Sequence, residues 1–118
     1  MNPAAWQGVR MELLPMPAVA QQLGIKVTRV RQLARDGQLL AVRDESGTRG
    51  VPALFLKDGA IVKWLPSVIT QLRDAHFTDE EIVAWLHRDD ESLPGCPIDA
   101  LRDNRGSEVK RRAQVAGY

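Results

Sequence analysis

The chain has a single cysteine, Cys96, and so no partner for an internal disulfide and no second thiol for a paired zinc motif. Cys96 is therefore read as structural or incidental. No apolar run approaches the ~20 residues that span a bilayer. The N-terminus also lacks the basic stretch, hydrophobic segment and cleavage site of a secretory leader. The expected location is the cytoplasm, with no membrane partner. No Gly-x-Ser-x-Gly turn presents a nucleophilic serine, and Ser46-Gly47-Thr48-Arg49-Gly50 has neither the spacing nor the lysine of a phosphate-binding loop. His76 and His87 have no second ligand at a fixed helical spacing. His87, Asp89, Asp90 and Glu91 offer no regular oxygen template for a divalent cation, so they are read as a solvated acidic run. These absences point away from catalysis, metals and cofactors.

What is present is an ordinary globular composition, 44% hydrophobic and 26% charged over 118 residues. That length suits one core, or two small lobes sharing one. The net charge of +1 conceals a segregation. Residues 17–63 hold eight Lys and Arg against four Asp and Glu, residues 64–104 hold three against nine, and residues 105–118 hold four against one. A basic block of this kind is the electrostatic footprint of a phosphate-binding face, because neutralisation by Lys and Arg supplies most sequence-independent attraction to DNA.

The basic block coincides with a helix-turn-helix pattern over residues 17–37. Ala20 is small enough to let two helix backbones cross, and Gly24, four residues on, supplies a positive-φ corner where a side chain would clash. The first helix is expected from Pro17 at its first position to about Leu23, and the second over residues 27–36, closed by Gly37. No good N-cap side chain precedes Val27; Thr28 serves if the helix starts later. Leu23, Ile25, Val30 and Leu33 can converge between the helices. Lys26, Thr28, Arg29, Arg31, Gln32 and Arg35 are then left outside, and these are residue types that meet phosphates and base edges. Two helices with a glycine corner are also a common packing unit.

Two β-prone segments follow, Leu39-Leu40-Ala41-Val42-Arg43 and Val51-Pro52-Ala53-Leu54-Phe55-Leu56, around a polar loop with two glycines. A hairpin placed directly after a recognition helix is a wing. Arg43 and Arg49 would lie on it, within reach of a phosphate or the minor groove; the alternative is a solvated hairpin without a ligand. Pro52 cannot donate a ladder hydrogen bond, so its strand is expected to be an edge or bulged. After a turn at Lys57-Asp58-Gly59, Ile61 and Val62 are expected to extend the small sheet. Residues 1–12 show no sustained period and are expected to form a flexible arm carrying Trp6.

The remainder reads as helical. Leu65-Pro66-Ser67 opens a helix with Val68, Ile69 and Leu72 on one stripe, ending near Ala75. Thr78-Asp79-Glu80-Glu81 is a capping box, before a helix whose buried face is expected to be Ile82, Trp85 and Leu86. Trp64 and Trp85 are read as packing residues. An imidazolium at His87 would suit the negative end of that helix dipole. Residues 91–97 form a loop, 97–104 a short helix closed near Gly106, and 107–116 a last helix. Its Lys110-Arg111-Arg112 is either a second phosphate contact or a complement to the helix dipole and acidic segment.

With these residues in view, the chain resembles a family of actinobacterial winged helix-turn-helix DNA-binding proteins with a C-terminal helical domain. The resemblance covers roughly residues 13–118. It rests on Leu23-Gly24-Ile25 with the basic helix after it, on Leu40-Ala41-Val42-Arg43, on Leu65-Pro66 and on three C-terminal blocks. Those blocks are Thr78-Asp79-Glu80-Glu81-Ile82-Val83-Ala84-Trp85-Leu86, Pro97-Ile98-Asp99-Ala100-Leu101, and Glu108-Val109-Lys110-Arg111-Arg112-Ala113-Gln114. The family implies a cytoplasmic protein that binds DNA through its N-terminal unit and completes its fold with the C-terminal one. The order Asp-Glu-Glu-x-x-x-Trp-Leu, Pro-Ile-Asp-Ala-Leu, Glu-Val over about residues 75–113 is also similar to the toxin-gripping domain of a class of bacterial antitoxins.

The expected architecture is mainly α with a small β-hairpin wing. A flexible arm spans 1–12, a winged helix-turn-helix 13–63, and a helical bundle packed on it 64–118. The expected function is double-stranded DNA binding by a transcriptional regulator or nucleoid-associated factor. Helix 27–36 would read the major groove, and wing 43–50 would touch backbone or minor groove. The alternative is a protein-interaction module that binds a partner through the C-terminal helices. The sequence fixes no oligomeric state.

Overall fold

A computed structural model describes residues 11–89 and 95–116. Of the arm expected over residues 1–12, the first ten, Trp6 included, lie outside that range. Met11 packs against the core, and the Glu12 carbonyl accepts the Ala53 N–H at 2.9 Å.

After β1 (Leu13–Leu14), helix α1 spans Met16–Leu23. It starts one residue earlier than expected, so Pro17 takes the second helical position, where its missing N–H is still harmless. Gly24 turns the corner at φ 68°, and the Ile25 N–H reaches back to the Ala20 carbonyl at 3.0 Å. Helix α2 spans Val27–Arg35. Lys26 stands at its N-cap without a side-chain bond, and Thr28 lies inside the helix rather than at its cap. Val19, Ala20, Val30 and Ala34 are buried between α1, α2 and the rest of the core, with Leu23, Ile25 and Leu33 half-buried beside them.

The wing is the antiparallel pair β2 (Val42–Arg43) and β3 (Arg49–Pro52), with Val42 opposite Gly50 and Arg43 opposite Arg49. β1 pairs with the other side of β3, Leu13 opposite Pro52 and Leu14 opposite Val51, so β3 is the central strand. The expectation that Pro52 marks an edge or a bulge is therefore corrected. Since the Ala53 N–H points toward β1, alternation turns the nitrogen of residue 52 toward β2, two residues past the last β2–β3 pair. No ladder bond is lost there.

The expected strand 51–56 is broken by a 3-10 turn, Ala53–Phe55, and the chain then makes a second hairpin, β4 (Leu56–Lys57) and β5 (Ala60–Ile61). Asp58 and Gly59, both at positive φ, form its two-residue turn. Ile61 thus pairs with Leu56 in a separate sheet and does not extend the wing.

Four helices follow: α3 (Leu65–Asp74), α4 (Asp79–His87), α5 (Pro97–Arg102) and α6 (Gly106–Ala116). The capping box forms as expected, the Glu81 N–H donating to Thr78 Oγ1 at 3.1 Å and the Thr78 N–H to Glu81 Oε1 at 2.9 Å. On α4, Ile82, Val83, Ala84 and Leu86 are buried, and Trp85 is half-buried at the edge of that face. Gly106 does not close α5. It opens α6 and seats directly against the Trp64 indole, where a Cβ would collide with the ring. Of the expected loop 91–97, residues 91–94 lie outside the described range.

One apolar cluster runs through both lobes, joining Val30, Leu39 and Phe55 to Leu65, Leu72, Leu86, Ile98 and Val109. Polar ties reinforce the junction. Lys57 Nζ donates to the Arg102 carbonyl at 2.6 Å, and Arg102 Nη1 donates to the Leu54 and Leu56 carbonyls at 2.9 and 2.7 Å. Among the described residues, no helix is long and apolar enough to cross a membrane.

Candidate nucleic-acid interface

With Val30 and Ala34 facing the core, the helical period turns Thr28, Arg29, Gln32 and Arg35 to the far side of α2, with Arg31 on its flank and Lys26 at its N-cap. All six are exposed. Arg43 and Arg49 are exposed too, and as directly opposed residues on antiparallel strands they stand on the same face of the wing.

Among the described residues, the ion pairs are Arg73–Asp79 at 3.1 Å and Arg105–Asp103 at 3.8 Å, so no described carboxylate stands within ion-pair distance of the cations of α2 or of the wing. Exposed guanidinium and ammonium groups held in no ion pair can displace the counterions of a phosphate backbone. Arg43 is steadied by one contact, Nη1 donating to the Gly47 carbonyl at 3.2 Å.

The wing tip is built around Asp44. Its Oδ1 accepts the Ser46 N–H at 2.9 Å, the Ser46 hydroxyl at 2.6 Å and the Thr48 N–H at 3.0 Å. The Ser46 hydrogen bond first, with the backbone bonds, holds the Asp44 carboxyl below the usual range. A cleft of about 590 Å³ opens beside this tip; its lining includes Arg43 and Arg49, the acidic Asp44 and Glu45, and, from α4, Glu80. Sequence reasoning missed the nearness of Glu80 to the wing. Its only signal was membership of the capping box, which says nothing of distant neighbours.

The other chemistry-bearing side chains sit in the fold. Burial pulls the His87 pKa down, against the opposing pull of the Val83 carbonyl and Asp99. At this end of α4, where an imidazolium would suit the helix dipole, desolvation favours the neutral ring. His76, at φ 69°, takes the left-handed position after α3. Cys96 is buried and donates Sγ–H to Asp99 Oδ2 at 3.2 Å, and burial pushes its thiol pKa up. Trp64 is half-buried beneath Gly106, with Lys110 Nζ 5.8 Å from its ring centroid, while Arg111 and Arg112 are exposed.

Two helices meeting at a glycine corner, a cationic outer face on the second and a hairpin with paired arginines define a winged helix-turn-helix DNA-binding protein. Residues 9–56 match the family described as DNA-binding protein Rv2175c, wHTH domain, and residues 62–117 match the Rv2175c C-terminal domain of unknown function. The chain belongs to the Rv2175c family. DNA-binding protein Rv2175c of Mycobacterium tuberculosis is 37% identical over 115 residues, covering 87% of this chain and 79% of the relative. The NMR structure of Rv2175c matches with a TM-score of 0.83, covering 91% of this chain and 82% of that one.

Proposed function

We propose that this protein is a sequence-reading regulator or nucleoid-associated factor of the cytoplasm, acting on double-stranded DNA without catalysis of its own. Residues 13–63 form the DNA-binding unit and residues 64–118 the helical unit that supports it. Helix α2 enters the major groove with Arg29, Arg31 and Gln32 toward base edges, while Lys26, Thr28 and Arg35 hold phosphates. Arg43 and Arg49 of the wing engage the backbone or the minor groove alongside. The observation that carries this reading is the unpaired cationic face of α2 followed by two wing arginines in cross-strand register.

A salt-titrated DNA-binding assay with two variants tests it. Arg29→Ala is expected to weaken a selected site about tenfold or more while leaving random duplex nearly unchanged, as loss of a base contact costs ~1–3 kcal/mol. Arg49→Ala is expected to weaken both duplexes and to reduce the salt slope by about one. Equal losses from the two variants on both duplexes would refute these roles, and no binding at low ionic strength would refute the reading as a whole.

A further inference from the structure

We infer that Asp44 is the positioning residue of the wing, an anion retained on the DNA-facing hairpin because it sets the shape in which Arg43 and Arg49 are presented. The inference rests on the DNA-binding reading above. Among the described residues, nothing packs over the tip: Glu45, Ser46, Gly47, Thr48 and Arg49 are all exposed. The β2–β3 ladder is only two pairs long, and an open cleft lies between the hairpin and Glu80 of α4. Order at the tip comes instead from one carboxylate oxygen that gathers three donors, the Ser46 N–H, the Ser46 hydroxyl and the Thr48 N–H.

Those bonds close a loop that the backbone also closes, with the Asp44 N–H on the Thr48 carbonyl at 2.9 Å and the Gly47 N–H on the Asp44 carbonyl at 3.0 Å. The fixed Gly47 carbonyl then takes Arg43 Nη1, and Thr48, fixed by the same oxygen, leads straight into Arg49 at the start of β3. Arg43 through its bond to Gly47, and Arg49 through the chain that follows Thr48, both depend on the loop that Asp44 Oδ1 closes. An ordered tip meets the duplex without first losing conformational freedom, which otherwise costs roughly 1–2 kcal/mol per backbone residue.

Electrostatics alone predicts the opposite sign. Removing a carboxylate that lies between two phosphate-binding arginines should strengthen binding, and Glu45, with the same charge one residue away and none of these bonds, serves as the control.

Random-sequence duplex affinity at fixed salt, measured on the full chain, separates the two effects. Glu45→Ala is expected to bind about twofold to threefold more tightly, the scale of one exposed charge. Asp44→Ala, the same change in charge, is expected to bind about fivefold to tenfold more weakly. Asp44→Asn keeps an acceptor oxygen and is expected to match or exceed the parent. Amide exchange supplies the structural readout: the Ser46 and Thr48 amides should lose protection in Asp44→Ala and keep it in Asp44→Asn. Tightening of Asp44→Ala to the level of Glu45→Ala overturns the inference, as does an Asp44→Asn as weak as Asp44→Ala. A parent chain that binds no duplex defeats the DNA reading instead, and the exchange comparison still decides whether Asp44 orders the tip.

Discussion

His87 stands one turn beyond Val83, whose carbonyl lies 2.8 Å from its Nδ1 and so fixes the proton on that nitrogen. The other ring nitrogen, Nε2, is buried without a partner among the described residues, and the ring lies 5.8 Å from that of Phe55. Protonating Nε2 would place a charge where no described acceptor receives it, which is why desolvation dominates and the pKa falls. The unfolded chain, with an imidazole near pH 6.5, takes up a proton at a pH where the folded chain does not. Stability should therefore fall as pH drops through that range, and this loss should level off below the folded-state pKa. Thermal unfolding between pH 7.5 and 5 measures the effect. The parent melting temperature is expected to decline toward pH 5, and His87→Gln, which does not titrate, is expected to decline less. Equal slopes would show that the ring is solvated in the fold. The helix end that His87 occupies was legible in the sequence; its burial depends on Phe55, thirty-two residues away, and was not.

At the scale of elements, local chemistry announced itself where a single segment carries both signal and cause. Gly24 gave the corner between α1 and α2, Thr78 and Glu81 gave the start of α4, and the polar run 44–50 gave the wing tip. Two-residue strands have no period to detect, so β1 was invisible, and the β4–β5 hairpin passed as an extension of the wing. Gly106 shows the same limit from the other side. A glycine near the end of a helical stretch reads as a stop, yet this one is required by the Trp64 indole pressed against it at the start of α6. Trp64 itself adopts φ 75°, a left-handed conformation unusual for a bulky residue, and its placement there brings the ring under α6. Helix propensity alone predicts that Gly106→Ala stabilises by up to ~1 kcal/mol. The contact predicts the reverse, a net loss of about 1–3 kcal/mol from overpacking, because either the ring or the helix must move. Urea denaturation of the variant decides the sign, and a stabilised variant would mean that the ring yields freely.

For the whole molecule, the question is whether the DNA-binding unit stands alone or exists only with its helical partner. Phe55 and Leu39 are fully buried in the same cluster as Leu65, Leu72 and Val109, so the boundary near residue 63 cuts through a continuous core. Arg102 reaches back across that boundary to two carbonyls, Leu54 within the 3-10 turn after the wing and Leu56 just past it, while its own carbonyl receives Lys57. The hairpin β4–β5 also touches the end of α1, with Gly59 beside the Gln22 carbonyl. A charge-segregated chain gains from this arrangement, because the acidic stretch 64–104 can brace the basic one through apolar contact and backbone acceptors without neutralising the cations of α2. Both lobes should consequently unfold in one transition. The Val30 amide in α2 and the Ile82 amide in α4 are expected to lose their native NMR signals at the same urea midpoint. Arg102→Ala should lower stability by about 1–2 kcal/mol, the scale of lost charge-assisted hydrogen bonds at a partly exposed site, and should shift both midpoints together. If the Val30 signal disappears first in the parent chain, the lobes are separable and the C-terminal helices do not underwrite the DNA-binding fold.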